Sequence, residues 1–291
     1  MKLFIYKLIS KLGYSMNNRR TQHSLELKKL KQFQNIDKNN ILFRARSYIE
    51  NIRNYYPDLN IISKEGGFII SFNSFEFFIE SSEDIFIINE VFVDLDYGFR
   101  TDKSSLVIDI GANIGITSVF FSQFDFIKYI YSYEPIPHTY SLGLKNVSSN
   151  IEAHKKCQFF NFGLSNEDKT ASFYFNNQVK GKTGVREYRI AGSNNEHQVE
   201  VELKNANSVI SSIVKDHPDE FIMIKMDCEG SEYEIFQNLS NNNILSKIDV
   251  FFIEWHDKGS EPIEDILVRN NFNCSTRNLS KKSGFIFAYR T

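Results

Sequence analysis

Polar and apolar positions divide the chain into stretches of different periodicity. Up to about residue 60 the sequence is polar, and its apolar residues recur at helical spacing, which predicts helices over Ser24–Gln34 and Ile41–Tyr55. The run GGFIISFNSFEFFIESSED then alternates apolar and polar residues. It predicts a hairpin with strands Phe68–Phe72 and Phe75–Glu80 around an Asn73-Ser74 turn. FIINEVFVDLDYGF (86–99) reads as a short helix leading into the core.

From Ser105 the pattern becomes strand–helix alternation. LVIDI is a continuous apolar run closed by an acid, as expected of a parallel strand buried on both faces. Further strands are expected at Tyr129–Tyr133, Cys157–Phe162, Phe221–Met226, Val250–Glu254 and Phe285–Tyr289. An antiparallel pair is expected at Ala171–Phe175 and Val199–Leu203, and helices at Ile116–Ser122, Ile136–Ser149, Asn207–Lys215, Ser231–Leu239 and Glu261–Asn270. The expectation is an α/β fold, a Rossmann-like, doubly wound, mostly parallel seven-stranded sheet. It divides the chain into a helical extension (1–60), a hairpin and lead-in (61–100) and the sheet domain (101–291). Ligands of such sheets bind at the carboxyl ends of the strands, near the point where strand order reverses.

Composition narrows the class. With 42% hydrophobic and 24% charged residues the chain can build a full core, and a net charge of −2 gives no pull toward nucleic acid. Cys157, Cys228 and Cys274 are odd in number and sit in or beside apolar runs, which predicts free thiols and a cytoplasmic protein. No apolar stretch approaches the roughly 20 residues that span a bilayer. Lys7 and Lys11 interrupt the apolar start and no small-residue cleavage site follows, so the start is not read as a signal peptide. As a basic amphipathic helix it could pack on the main domain or meet a membrane surface peripherally.

The candidate chemistry stands where strands end. In VIDIGANIGITS, Gly111 permits a tight turn, Gly115 lets the next helix close on the strand, and the helix start offers free N–H groups. Asn113 stands where a pyrophosphate-binding turn has its second glycine, and the carboxylate of Asp109 would repel a diphosphate while suiting a cationic amino-acid group. This weighs against a nicotinamide-dependent oxidoreductase. Glu134, 25 positions after Asp109 at the next strand end, is placed to accept from ribose hydroxyls. Asp227, Glu229 and Glu232 crowd the end of FIMIKMDCEGSEYEIF, where they serve either the helix dipole or the cleft. His256 ends FFIEWH on the same rim and, like Asp227, could take a proton near neutral pH. Spacing alone calls for no metal, although a divalent ion at Asp227 is compatible with it. The connector between Phe175 and Val199, with Lys180, Lys182, Arg186 and Arg189, would either overhang the cleft or form a surface loop.

VIDIGANIG (107–115), YEP (133–135), IKMDCEGSEYEIF (224–236) and IEWH (253–256), with NEVF (89–92) before them, resemble the FkbM family of methyltransferases. The resemblance covers roughly residues 85–290. It implies a class I methyltransferase fold, S-adenosylmethionine as cofactor, and O-methylation of a sugar or natural-product hydroxyl, so a small-molecule or glycan acceptor. Asp109, Gly111, Asn113 and Gly115 would cradle the methionine part, Glu134 would hold the ribose, and Asp227, Glu229 and His256 would line the acceptor side. Cys228 departs from the pattern, where a β-branched residue is more typical. The alternative is a non-catalytic, partner-binding subunit on the same fold.

Overall fold

The computed structural model describes residues 40–175 and 197–290. The helix expected at Ser24–Gln34, the basic N-terminal segment and the cationic connector lie outside these residues. Helices α1 (Ile41–Arg44) and α2 (Arg46–Tyr55) lead into β1 (Asn60–Lys64), β2 (Gly67–Phe72) and β3 (Phe75–Ile79). The hairpin stands in the expected register, Phe72 opposite Phe75, with left-handed Asn73 and Ser74 at its turn. β1 extends it to a three-stranded antiparallel sheet.

Helix α3 (Ser82–Asn89) begins earlier than its apolar run because Ser81 and Asp84 form a reciprocal capping box. It widens into a π-helical turn over Glu90–Asp94 that ends at left-handed Leu95. The alternating units come next: β4 (Ser105–Ile110), α4 (Ile116–Ser122), β5 (Ile127–Tyr133), α5 (Pro137–Ser149), α6 (Ile151–Lys156) and β6 (Cys157–Phe160). β7 (Gly163–Ser165), β8 (Lys169–Phe175) and β9 (His197–Asn205) form a separate small sheet in the order β7-β9-β8. Then come α7 (Ala206–Asp216), β10 (Phe221–Met226), α8 (Glu232–Asn241), β11 (Val250–His256), α9 (Glu261–Arg269), β12 (Phe272–Asn278) and β13 (Ser283–Arg290).

The main sheet has seven strands in the order β12-β13-β11-β10-β4-β5-β6. β6, β5, β4, β10 and β11 run parallel, and β13 and β12 add antiparallel. From β4 the chain winds outward to β6, then returns to β10 and winds the other way. The strand order therefore reverses between β4 and β10, and the crevice outside their carboxyl ends is the expected ligand position. All six residues of β4 are buried. Its Val107 packs with the N-terminal elements and α4, while Leu106, Ile108 and Ile110 pack with α7, α8 and α9 on the other face. The seventh strand, β12, was not expected from sequence. FNCSTRN carries one buried residue on an otherwise exposed edge, so its hydrophobic signal is almost nil. All three cysteines are free thiols. Among the described residues, no helix is long and apolar enough to cross a membrane.

Candidate active site

The turn after β4 is shaped by contacts across the crevice. Gly111 has φ +77°, and a Cβ there would lie 1.8 Å from the Asp227 carbonyl oxygen, so only glycine lets the two strand ends approach. The Gly111 and Ala112 N–H groups donate to the Tyr133 carbonyl. Asn113 is left-handed at φ +50°, and its N–H donates to Glu134 Oε2 at 3.0 Å. The Ile136 N–H donates to Glu134 Oε1 at 2.9 Å. Burial pushes the Glu134 carboxyl up to about 7, although these two N–H groups and Lys225 pull it down. Gly115 faces away from the ligand space, and its left-handed turn packs against Gly143 and Val147 of α5.

Asp109 lies under the turn and is fully buried. Its carboxylate accepts from Ser118 Oγ at 2.7 Å and pairs with Lys225 Nζ at 3.2 Å. Lys225 in turn donates to the Gly111 carbonyl at 2.7 Å. The pair sets the height of the turn above the sheet, so Asp109 acts through Lys225 and Gly111. Sequence spacing does not assign this role to Lys225. Asn146 of α5 adds a second brace that spacing does not reveal, since it donates to the carbonyls of Ile114 and Phe78 and accepts from the Phe78 N–H.

Two cavities meet at this turn. The larger, about 630 Å³ with its open mouth, is lined by Gly111, Asn113, Glu134, Ile136, Leu164 and Asp227, among others. The smaller, about 410 Å³, lies between the turn and the π-helical segment and is lined by Glu90, Tyr97, Thr117, Lys225, Asp227 and Glu254, among others. Gly111, Asn113 and Asp227 line both. Among the described residues no donor reaches the buried Asn113 Oδ1. Burial and the charge of Glu254, followed by those of Asp96, Asp227 and Asp94, push Glu90 up to about 9. Glu90 and Glu254 are not singled out by spacing, and tertiary packing alone brings them to the site.

Asp227, Glu229 and His256 converge beyond β10 and β11, each with a ligand-capable atom within 4.8 Å of the others. Glu229 sits at φ +49° in the loop before α8. His256 is buried, with Nε2 at 3.8 Å from Glu229 Oε2 and 3.5 Å from Glu254 Oε1. Its Nδ1 lies 3.0 Å from Oε1 of the fully buried Glu232. Burial works against charge on the ring. Hydrogen bonds to Glu232 and Glu254 and the charge of Asp227 outweigh it and carry His256 up to about 11. Burial and the charge of Glu254 push Asp227 up to about 7 against the opposing charges of Lys225 and His256.

Of the residues picked out by spacing, the structure brings Gly111, Asn113, Glu134, Asp227 and Glu229 to the wall of the larger cavity and sets Glu232 behind His256. It places His256 against Glu229, and sets Asp109 and Gly115 behind the turn.

Residues 109–274, more than half of the chain, match the FkbM methyltransferase domain. The methyltransferase sdnD of Sordaria araneosa is 27% identical over 225 residues, covering 68% of this chain and 85% of that protein. Methyltransferase 1 of Beauveria bassiana is 24% identical over 177 residues, covering 54% and 68%. Among solved structures, the human methyltransferase 10 domain containing protein aligns over 87% of this chain and 99% of its own, at 12% identity and a TM-score of 0.41.

Proposed function

This chain belongs to the FkbM methyltransferase family, and from that premise we propose that it uses S-adenosylmethionine to methylate a hydroxyl oxygen of a small-molecule or glycan acceptor. The observation that carries the cofactor assignment is Glu134. Both its oxygens are oriented by backbone N–H groups, and it stands on the wall of the larger cavity beside Gly111 and the orphaned Asn113 Oδ1. A carboxylate so held keeps free lone pairs for ribose hydroxyls, and the Asn113 oxygen awaits a donor such as an ammonium or hydroxyl group.

When bound, S-adenosylmethionine supplies an electrophilic methyl group. The chain's own residues hold the two partners and manage one proton. Asp227 lines both cavities and so stands between donor and acceptor, which makes it the residue to receive the acceptor hydroxyl's proton. Glu229 and His256 flank it and orient the hydroxyl.

The test is titration calorimetry with S-adenosylmethionine, with NADH as control. Micromolar binding by the wild type that collapses in Glu134→Ala, with no heat from NADH, is expected. NADH binding in place of S-adenosylmethionine would overturn the reading.

A further inference from the structure

The Asp227–Glu229–His256 cluster is organised from behind by one residue. Glu232 Oε1 takes Nδ1 of His256 at 3.0 Å and also accepts from the N–H groups of Cys228 and Gly230, while its Oε2 accepts from Gly230 at 2.9 Å. A single buried carboxylate therefore fixes the imidazole ring and the loop that carries Glu229. This leaves Nε2 as the ring atom facing the carboxylates, at 3.5 and 3.8 Å from its neighbours. The contact with Glu254 is at the long limit of a hydrogen bond, and that with Glu229 is an ion-pair separation.

We propose that Asp227, Glu229 and His256 form a binding site for a divalent transition-metal ion. Metal–ligand bonds of about 2.0–2.2 Å place neighbouring ligand atoms about 3.0–3.6 Å apart. The three donor atoms, all within 4.8 Å of one another, reach that spacing with side-chain adjustments of a few tenths of an ångström to about 1 Å. A histidine whose other ring nitrogen is held by a buried carboxylate is the arrangement that orients metal-binding imidazoles. One nitrogen and two carboxylate donors favour Mn²⁺, Fe²⁺ or Zn²⁺ over the all-oxygen preference of Ca²⁺ and Mg²⁺.

The ion takes the place of the Nε2 proton of His256, so its binding releases protons. Three protein ligands leave coordination positions open toward the cleft. The purpose assigned to the ion, binding and acidifying the acceptor hydroxyl, rests on the transferase reading proposed for this site, and the second oxygen of Asp227 remains for the hydroxyl's proton.

The full chain, stripped with a chelator, is titrated with MnCl₂ and free Mn²⁺ is followed by electron paramagnetic resonance. One Mn²⁺ per chain is expected. Affinity should fall tenfold or more in Asp227→Asn and Glu229→Gln, and about 10–100-fold in Glu232→Gln, with circular dichroism confirming that each variant is folded. Pulsed resonance should show coupling to one imidazole nitrogen that His256→Asn removes. No saturable binding by the wild type up to about 1 mM, or nitrogen coupling that persists in His256→Asn, overturns the site. A parallel S-adenosylmethionine titration without Mn²⁺ separates the two claims. Cofactor binding without Mn²⁺ binding overturns the ion alone, and Mn²⁺ binding without cofactor binding overturns the transferase reading alone.

Discussion

Cofactor binding should release a proton, and Glu134 should be its source. Burial holds this carboxyl up at about 7 in the unliganded chain. Two ribose hydroxyls donating to the ionised form would each contribute about 1.5–3 kcal/mol. At 1.36 kcal/mol per pKa unit they would draw the carboxyl roughly 2 units or more downward, below the working pH. Affinity should then scale with the fraction of Glu134 already ionised. Relative to its plateau above pH 8, it should be about twofold weaker at pH 7 and about elevenfold weaker at pH 6. At pH 6 close to one proton should leave per ligand bound. Calorimetry in buffers of different ionisation enthalpy measures both quantities. Asp227 is also held at about 7, so the pH slope must survive in Asp227→Asn and vanish in Glu134→Gln. A dissociation constant that does not change between pH 6 and 8 would refute the ribose role.

The same raised pKa sets an opposite sign for the unliganded protein. Glu134 favours folding below its ordinary value of 4.5, and that contribution is lost as pH rises through about 7, costing roughly 3 kcal/mol. The thermal stabilisation by S-adenosylmethionine should accordingly be larger at pH 8 than at pH 6.

Three further changes probe the frame of the site. Asp109→Asn leaves Lys225 buried without its counter-charge and should cost about 3–5 kcal/mol in urea unfolding; a loss below 1 kcal/mol would mean that the pair does not set the turn. Gly111→Ala forces a Cβ against the Asp227 carbonyl at a left-handed position. It should destabilise by about 2–5 kcal/mol and abolish cofactor binding, and a folded, binding variant would show that the turn is free to move. Asn146→Ala strips the partner from the Phe78 N–H and from the Ile114 carbonyl, with an expected loss of about 2–5 kcal/mol by thermal or urea denaturation. A neutral effect would show that the brace between the N-terminal sheet and the cofactor turn is not needed.

What sequence made legible was local. Strand β4, the Gly111 turn and Glu134 lie within about one βαβ unit, where periodicity and turn chemistry act on neighbours in the chain. β10 was legible to the residue because FIMIKM is apolar on both faces apart from Lys225. The small strand β7 and the edge strand β12 were not. Three residues carry too little pattern, and a polar edge carries almost none. In the site, Glu232 read equally well as an acid favoured by the α8 N-terminus. Only the fold brings His256, 24 positions away, onto it. Glu90 and Glu254 were missed for the same reason, since their significance lies in a shared cavity.

The places where local preference is overruled also mark the site without reference to any relative. A carboxylate and an ammonium occupy interior positions of β4 and β10, where apolar residues are the rule. Left-handed asparagines and a serine elsewhere in the chain sit in ordinary turns, and residues such as Asn73 accommodate that conformation readily. Glu229 and Leu95 are not of that kind. One carries a carboxylate of the acceptor-side cluster, and the other closes the π-helical turn whose Glu90 lines the adjoining cavity. Such exceptions persist only where surrounding packing over-determines them. The first shapes one end of β10 and the second the segment facing it, so the two bracket the crevice at which the strand order reverses. Backbone strain, the buried ion pair and sheet topology thus point independently to the same crevice.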